Sequence, residues 1–465
     1  MATIAFWGLV LTVALAPLPL GSNRPAAWSL LALAVGLWLI FWAIAIWRRP
    51  QQLEVPWRRH WPATLGFLLI AVWALVQVVP LTPAAWHHPL WGEAGAALGV
   101  ALPGAISIAP ADGMTALMRL LSYGGVFWLA MQFGRSSGRA NILLWSLMIA
   151  ATLYAAYGLV LQVSGSNRLL WFEKWAYADS LTATFVNRNS FATYSGLGLI
   201  AAVGLLLRRL RHVAMPEAGD IAASVDRFAA AAAAPVAAVV VLAAALLLSH
   251  SRGGLLATIL GLATLLARDV FRRDRPRRAK VVAGTVLAGL LLLIVVGGGV
   301  TLQRLDQEGR EDLAVRAWIH AQAAKAVPEA PMTGTGYGSF ESVFAGLRDA
   351  EWIKLRHIDK AHNTYIELAV EFGLPATLLF LALPAWITYR CLRGQAERQR
   401  NAIYPAVAVA ASVLVGVHSL FDFSLQIPAV AFAYALILGT GFAQSWKSRE
   451  RPSPSGAQRV EVSAA

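Results

Sequence analysis

The stretch Ala361 to Phe380, AHNTYIELAVEFGLPATLLF, sets a titratable side chain beside an apolar run. On a helix, His362, Ile366, Ala369 or Val370, and Gly373 fall on one face, with Glu367 and Glu371 on adjoining faces. A neutral imidazole accepts a proton near neutral pH, so a histidine held where water meets lipid suits a general base acting on a hydroxyl. A histidine that caps a helix and bonds a loop carbonyl is the plainer reading of the same residue.

Three arginines add a second kind of chemistry. Arg252 sits in LLLSHSRGGLLA, between two apolar runs with almost no loop to carry it. A guanidinium there is costly unless it snorkels, pairs or faces a polar cavity. Arg188, in FVNRNSFATY, is flanked by Asn187 and Asn189 and directly precedes an apolar run. Arg316, in AVRAWIHAQAAKAV, lies on an amphipathic stretch with Trp318 and Ile319, where a solvated helix face is the alternative. Fork-shaped donors of this kind suit the oxygens of a diphosphate.

Pro331 to Phe340, PMTGTGYGSF, is glycine-rich but lacks the Lys-Ser/Thr ending of a phosphate-binding loop, which argues against nucleotide binding. A tight turn in which Gly334, Gly336 and Gly338 let the backbone approach a ligand or the membrane face is the better reading. Trp171, Phe172, Trp175 and Tyr177 interleave with Glu173, Lys174 and Asp179, as in an interfacial aromatic belt or a platform for sugar rings. His87, His88 and His320 lack partners at metal-ligand spacing, so no metal ligands are expected. The single cysteine, Cys391, reads as a small apolar helix residue and says nothing about redox compartment.

These side chains need membrane helices to carry them. With 58% hydrophobic and only 14% charged residues over 465 positions, the chain reads as a polytopic membrane protein. Apolar runs near 4–20, 26–47, 62–81, 114–134, 141–163, 190–207, 229–249, 254–267, 281–300, 374–392, 402–424 and 426–446 predict about twelve spans. The first run lacks a basic start and its Ala14-Leu15-Ala16 is followed by Pro17, so it reads as a retained helix. With the N-terminus inside, Arg48-Arg49, Arg58-Arg59, Arg135, Arg139, Arg208-Arg209, Arg211, the Arg268–Lys280 cluster, Arg390, Arg393, Arg398, Arg400, Lys447 and Arg449 all fall on the cytoplasmic side. The opposite loop 301–361 carries eight Lys or Arg against nine Asp or Glu, close to neutral. The net charge of +14 is thereby explained without nucleic acid. The organisation expected is N-terminal spans over 1–163, a central core with an external loop over 164–300, an external loop subdomain over 301–373, C-terminal spans over 374–448 and a disordered cytoplasmic tail over 449–465. His362, Arg252, Arg188 and Arg316 would then share one side of the membrane. A transporter would instead place functional charges near the bilayer midplane and on both faces.

The sequence resembles the O-antigen ligase and polymerase superfamily, membrane glycosyltransferases that take glycans from undecaprenyl diphosphate outside the cytoplasmic membrane. His362-Asn363 followed by Gly373 after nine intervening residues, Ser251-Arg252-Gly253 at a helix start, Gly334-x-Gly336-x-Gly338 before a loop helix, and HSLFDFSLQIPAVAF from His418 to Phe432 carry the resemblance. Ala376 departs mildly from the glycine usual at the end of the first pattern. The resemblance spans about 180–440 and implies an all-α membrane glycosyltransferase core of the GT-C-like kind with a helical periplasmic loop subdomain. It further implies His362 as catalytic base, Arg252 with Arg188 or Arg316 on the lipid diphosphate, supporting roles for Asn363 and the three glycines, and no metal or other cofactor. The implied partners are an undecaprenyl-diphosphate-linked glycan donor, a glycan or lipid A-core acceptor and membrane lipids, at the periplasmic side of the bacterial inner membrane. Ligase, polymerase and protein glycosyltransferase stay open.

Overall fold

The computed structural model describes residues 1–210, 221–271, 284–285, 288–289, 308–347, 358–398 and 400–447. The first part of the chain forms α1 (Ala2–Leu15), α2 (Pro25–Arg48), α3 (Trp57–Val78), the short α4 (Leu90–Leu98), α5 (Pro110–Phe133) and α6 (Ser137–Val163). A small antiparallel hairpin, β1 (Arg168–Leu169) and β2 (Phe172–Glu173), leads to α7 (Arg188–Leu210), α8 (Ile221–Leu248) and α9 (Arg252–Phe271). Three helices then cap one end: α10 (Glu308–Ala326), α11 (Phe340–Gly346) and α12 (Thr364–Phe372). The chain closes with α13 (Leu374–Glu397), α14 (Ile403–His418) and α15 (Pro428–Ala443).

Burial follows composition. The apolar stretch of α7 is buried throughout, packed among α6, α8, α9 and α14, as expected of a helix that is hydrophobic all round. Small residues let its neighbours close in: Gly196 faces Thr258 and Leu414, and Gly204 faces Val407. At the periphery the pattern inverts. On α2, Leu30, Leu33, Leu37 and Ile40 are exposed, and only 11% of its apolar window is buried. Apolar side chains turned outward on a helix this long are suited to lipid, not water.

Six described helices are long and apolar enough to cross a membrane: Pro25–Arg48, Trp57–Val78, Pro110–Phe133, Ser137–Val163, Arg188–Leu210 and Leu374–Glu397. Five further apolar helices are shorter, Ala2–Leu15, Ala232–Leu248, Arg252–Ala267, Ile403–His418 and Pro428–Ala443. They coincide with eleven of the runs expected from sequence. The run 281–300 lies outside the described residues apart from two dipeptides, and the tail 449–465 lies outside them entirely.

The cap has its own small core, in which Ile319 and Ala323 of α10 and Phe340 and Phe344 of α11 pack with Ala361. A second cluster joins it to the bundle: Ile70 and Ala71 of α3 and Leu117 and Leu120 of α5 meet Leu368 and Phe372 of α12.

A polar network at one end of the bundle

The segment around His362 differs from the helical face expected. Helix α12 begins only at Thr364, and Asn363 is its N-cap, with Oδ1 accepting from the amides of Tyr365 and Ile366 at 3.0 and 3.1 Å. The cap side chain supplies partners that the first turn of any helix lacks. His362 therefore precedes the helix, in the left-handed region with φ 52°, and shares no helical face with Ile366 or Gly373.

What aims His362 is the docking of α12 against the turn after α14. The Thr364 amide donates to the Ser419 carbonyl at 2.9 Å, Thr364 Oγ1 to the Asp422 carbonyl at 3.1 Å, and Asn363 Nδ2 to the Leu420 carbonyl at 3.2 Å. Tyr365 adds a hydroxyl bond of 2.7 Å to the Gly416 carbonyl. From above, His320 Nε2 on α10 lies 3.3 Å from the His362 carbonyl, and the ring edge of His362 meets Phe423 at 5.0 Å. The loop before it is pinned by Glu367, which accepts from the Ala361 amide at 2.9 Å and from Gln426 Nε2 at 2.7 Å.

These contacts bring His362 Nδ1 to 3.8 Å from the Asp422 carboxylate, an ion-pair distance longer than a hydrogen bond. The imidazole is 24% exposed while Asp422 is buried. Burial works to raise the Asp422 carboxyl, but His362, His418 and the Ser424 hydroxyl outweigh it and hold the group below the ordinary carboxylate range. Asp422 also accepts from Asn189 Nδ2 at 3.2 Å and from Ser424 Oγ, and Asn189 Oδ1 accepts from Ser251 Oγ at 2.8 Å. Thr193 Oγ1 of α7 lies 2.6 Å from His418 Nδ1. Ser251 further caps α9, accepting from the Gly254 amide at 3.2 Å.

This buried network draws together three segments remote in sequence: the start of α7, the start of α9 and the turn from His418 to Ser424. Arg188 and Arg252 stand next to Asn189 and Ser251 on its rim. Arg252 is exposed and has no hydrogen bond or ion pair among the described residues. Arg188 stacks on Tyr177 at 5.1 Å, and its Nε is buried without a hydrogen-bond partner. Arg316 is placed differently, with Nη1 donating to the Phe421 carbonyl at 3.0 Å, where it braces the turn that carries Asp422.

The three glycines lie at the other end of α12 from His362. The Thr335 and Gly336 amides donate to the Val370 and Glu371 carbonyls at 3.0 Å each, and Gln77 of α3 ties in with Nε2 bonds to the Thr333 and Glu371 carbonyls at 2.7 and 2.8 Å. A Cβ on Gly336, whose φ is 106°, would run into Ser107. The backbone here approaches the backbone of α12's end and of the segment before α5, and the glycines permit that close packing. Beneath them Glu371 is buried, with Oε1 accepting from the Phe340 amide at 3.1 Å. Burial, reinforced by Glu367, pushes its carboxyl up to about 8, against the pull of Lys360 and the Gly338 and Phe340 amides.

Asp422 is the site residue that sequence reasoning passed over. It stood inside the quoted HSLFDF segment, but only the docking of α12 shows which side chain it serves. No group of three or more His, Cys, Asp or Glu among the described residues could hold a metal ion.

An all-helical, multi-pass membrane protein with a buried polar network of His, Asp, Asn and Ser at one end of the bundle, and arginines at its rim, is the class that fold and site define. Residues 237–381 match the family model described as O-antigen ligase, which supports membership of the O-antigen ligase and polymerase superfamily and, at family level, a membrane ligase or polymerase that transfers glycans. The matched segment takes in Arg252, Arg316, Gly334, Gly336, Gly338, His362 and Asn363, while Arg188 and Asp422 lie outside it. No curated protein matches the chain.

Proposed function

We propose that the protein moves an oligosaccharide or polysaccharide from an undecaprenyl-diphosphate carrier to a glycan or lipid A-core hydroxyl at the periplasmic face of the bacterial inner membrane, with both termini in the cytoplasm. The observation that carries this reading is the pairing of His362 with buried Asp422 on the network that also anchors the starts of α7 and α9, where Arg188 and Arg252 stand.

In this mechanism Asp422 faces Nδ1, favours the proton there and stabilises the imidazolium, which leaves Nε2 to take the proton of the acceptor hydroxyl. The freed oxygen attacks the anomeric carbon as the carbon–oxygen bond to the diphosphate breaks, and the bonding pair leaves with the lipid diphosphate. Attack opposite the leaving group inverts the linkage. Charge grows on the diphosphate oxygens as they depart, and Arg252 and Arg188 donate to them, in the place a divalent cation takes in other transferases. Arg316 acts at one remove, by holding the Phe421 carbonyl and so the position of Asp422.

The test is transfer from a purified lipid-diphosphate donor by the enzyme in nanodiscs. Arg252→Lys keeps the charge but loses the two-pronged contact, so it is expected to weaken transfer by about tenfold or more, and Arg252→Ala nearly to abolish it. A snorkelling role alone would leave Arg252→Lys fully active. A chelator is expected to leave the wild-type rate unchanged, and loss of transfer on chelation would overturn the assignment of the cation's role to the arginines.

A further inference from the structure

A guanidinium lies within a membrane-length helix where no sequence motif marks it. Arg119 is on α5, nine residues after Pro110 and about 13 Å along the helix. The first turns of α5 pack on the glycine segment, where a Cβ on Gly338 would meet Ala116 Cβ at 2.8 Å, so α5 begins at the end of the bundle that carries the network. Helical side chains lean toward the N-terminus of their helix, which directs Arg119 toward that end. Its guanidinium lies 4.8 Å from the ring centre of Trp28 on α2. Nε is buried with no hydrogen-bond partner, and no carboxylate among the described residues pairs with the side chain. A guanidinium with a buried, unbonded Nε on an apolar helix is retained at a cost, and an anion would satisfy it.

One helical turn along α2 from Trp28, an apolar groove of about 270 Å³ opens between α2 and α5, lined by Val35 and Leu39 on one wall and Met114, Met118 and Leu121 on the other, with Arg119 near its end and not among its lining residues. One furrow between two helices takes one hydrocarbon chain, which favours a single-tailed lipid over a diacyl one, and the arginine near its end complements a phosphate head. We propose that the groove and Arg119 form a second lipid-phosphate site, which holds the isoprenoid chain of a polyprenyl phosphate between α2 and α5 with its phosphate on the Arg119 guanidinium. The site is distinct from the His362 network, since the glycine segment beside α5 is bound to the far end of α12. It rests on the proposed transfer from a lipid diphosphate, in which a second isoprenoid-borne molecule is present as lipid-linked acceptor or as the spent carrier.

The experiment uses purified protein in phosphatidylcholine nanodiscs and a photoreactive geranylgeranyl phosphate, with cross-linked peptides read by mass spectrometry. Adducts are expected on the peptides of α2 and α5 in the wild type. They should fall by about tenfold or more in Arg119→Gln, which removes a charged hydrogen bond, and in Met118→Trp, which fills the groove and keeps the arginine. Arg252→Ala and His362→Ala should keep them. Adducts undiminished in both Arg119→Gln and Met118→Trp would overturn the site. Displacement of the probe by an equal amount of phosphatidylglycerol would overturn its isoprenoid character and leave a general anionic-phospholipid groove. Failure of the transfer reading would appear separately, as normal glycan transfer by His362→Ala.

Discussion

Asp422 is buried, held ionised by its neighbours and 3.8 Å from His362, so an amide in its place removes the negative charge and keeps the shape. Asp422→Asn is expected to lower transfer by about a hundredfold or more in an assay with purified donor, as loss of a base's orienting carboxylate does elsewhere, with partial recovery in Asp422→Glu. Unchanged transfer in Asp422→Asn would remove it from the mechanism. Glu371 offers a stability test with a definite sign. Its carboxyl is raised from an ordinary 4.5 to about 8, so the folded protein holds the proton more tightly than the unfolded chain. Stability contributed by that proton is present at low pH and is lost as pH rises through the interval from about 4.5 to about 8. Glu371→Gln is expected to flatten this slope in thermal unfolding measured across the interval, and an unchanged slope would show that Glu371 ionises without penalty. At this scale the sequence is uneven. His362 and Arg252 announce themselves by residue type against apolar surroundings, whereas Asp422 and Arg119 depend on contacts with segments far along the chain.

The elements explain why the sequence placed His362 on the wrong backbone. Periodicity continues the apolar face of α12 backward through Ile366 to His362, but the side chain of Asn363 competes for the first helical amides and ends the helix there. Asn363→Ala is expected to cost about 1 kcal/mol from the cap, and somewhat more because the bond to the Leu420 carbonyl goes with it. Thermal unfolding measures the sum, and no loss would show that the cap contributes nothing to docking α12. The glycine segment was legible as a tight turn, yet its partner was not. Only the fold shows that positive φ at Gly336 and the closeness of Ser107 serve the seat of α12.

At the scale of the molecule, all-helical architecture and membrane helices were legible because twenty-residue apolar runs have few other uses. The family resemblance, carried on motifs spread from Ser251 to Phe432, agrees with the match over 237–381. The span count was less legible, because five of the apolar helices are shorter than a full crossing and are buried in the bundle to different extents. The charge pattern predicts the sidedness. Single cysteines in a Cys391→Ser background are expected to label from the cytoplasmic side at Arg58→Cys, Gly138→Cys and Ala396→Cys, and from the outside at Trp175→Cys and Ala345→Cys, all of them exposed positions. Labelling of Ala345→Cys from the cytoplasm alone would reverse the proposed sidedness. The central claim is that His362 is the base of a glycan transfer, and it is tested most directly by transfer from purified lipid-diphosphate donor with His362→Ala and His362→Gln at matched protein level. Removal of a positioned base is expected to cost about a hundredfold or more in both, since an amide cannot take up the proton. Near-normal transfer by the Ala variant would contradict the account.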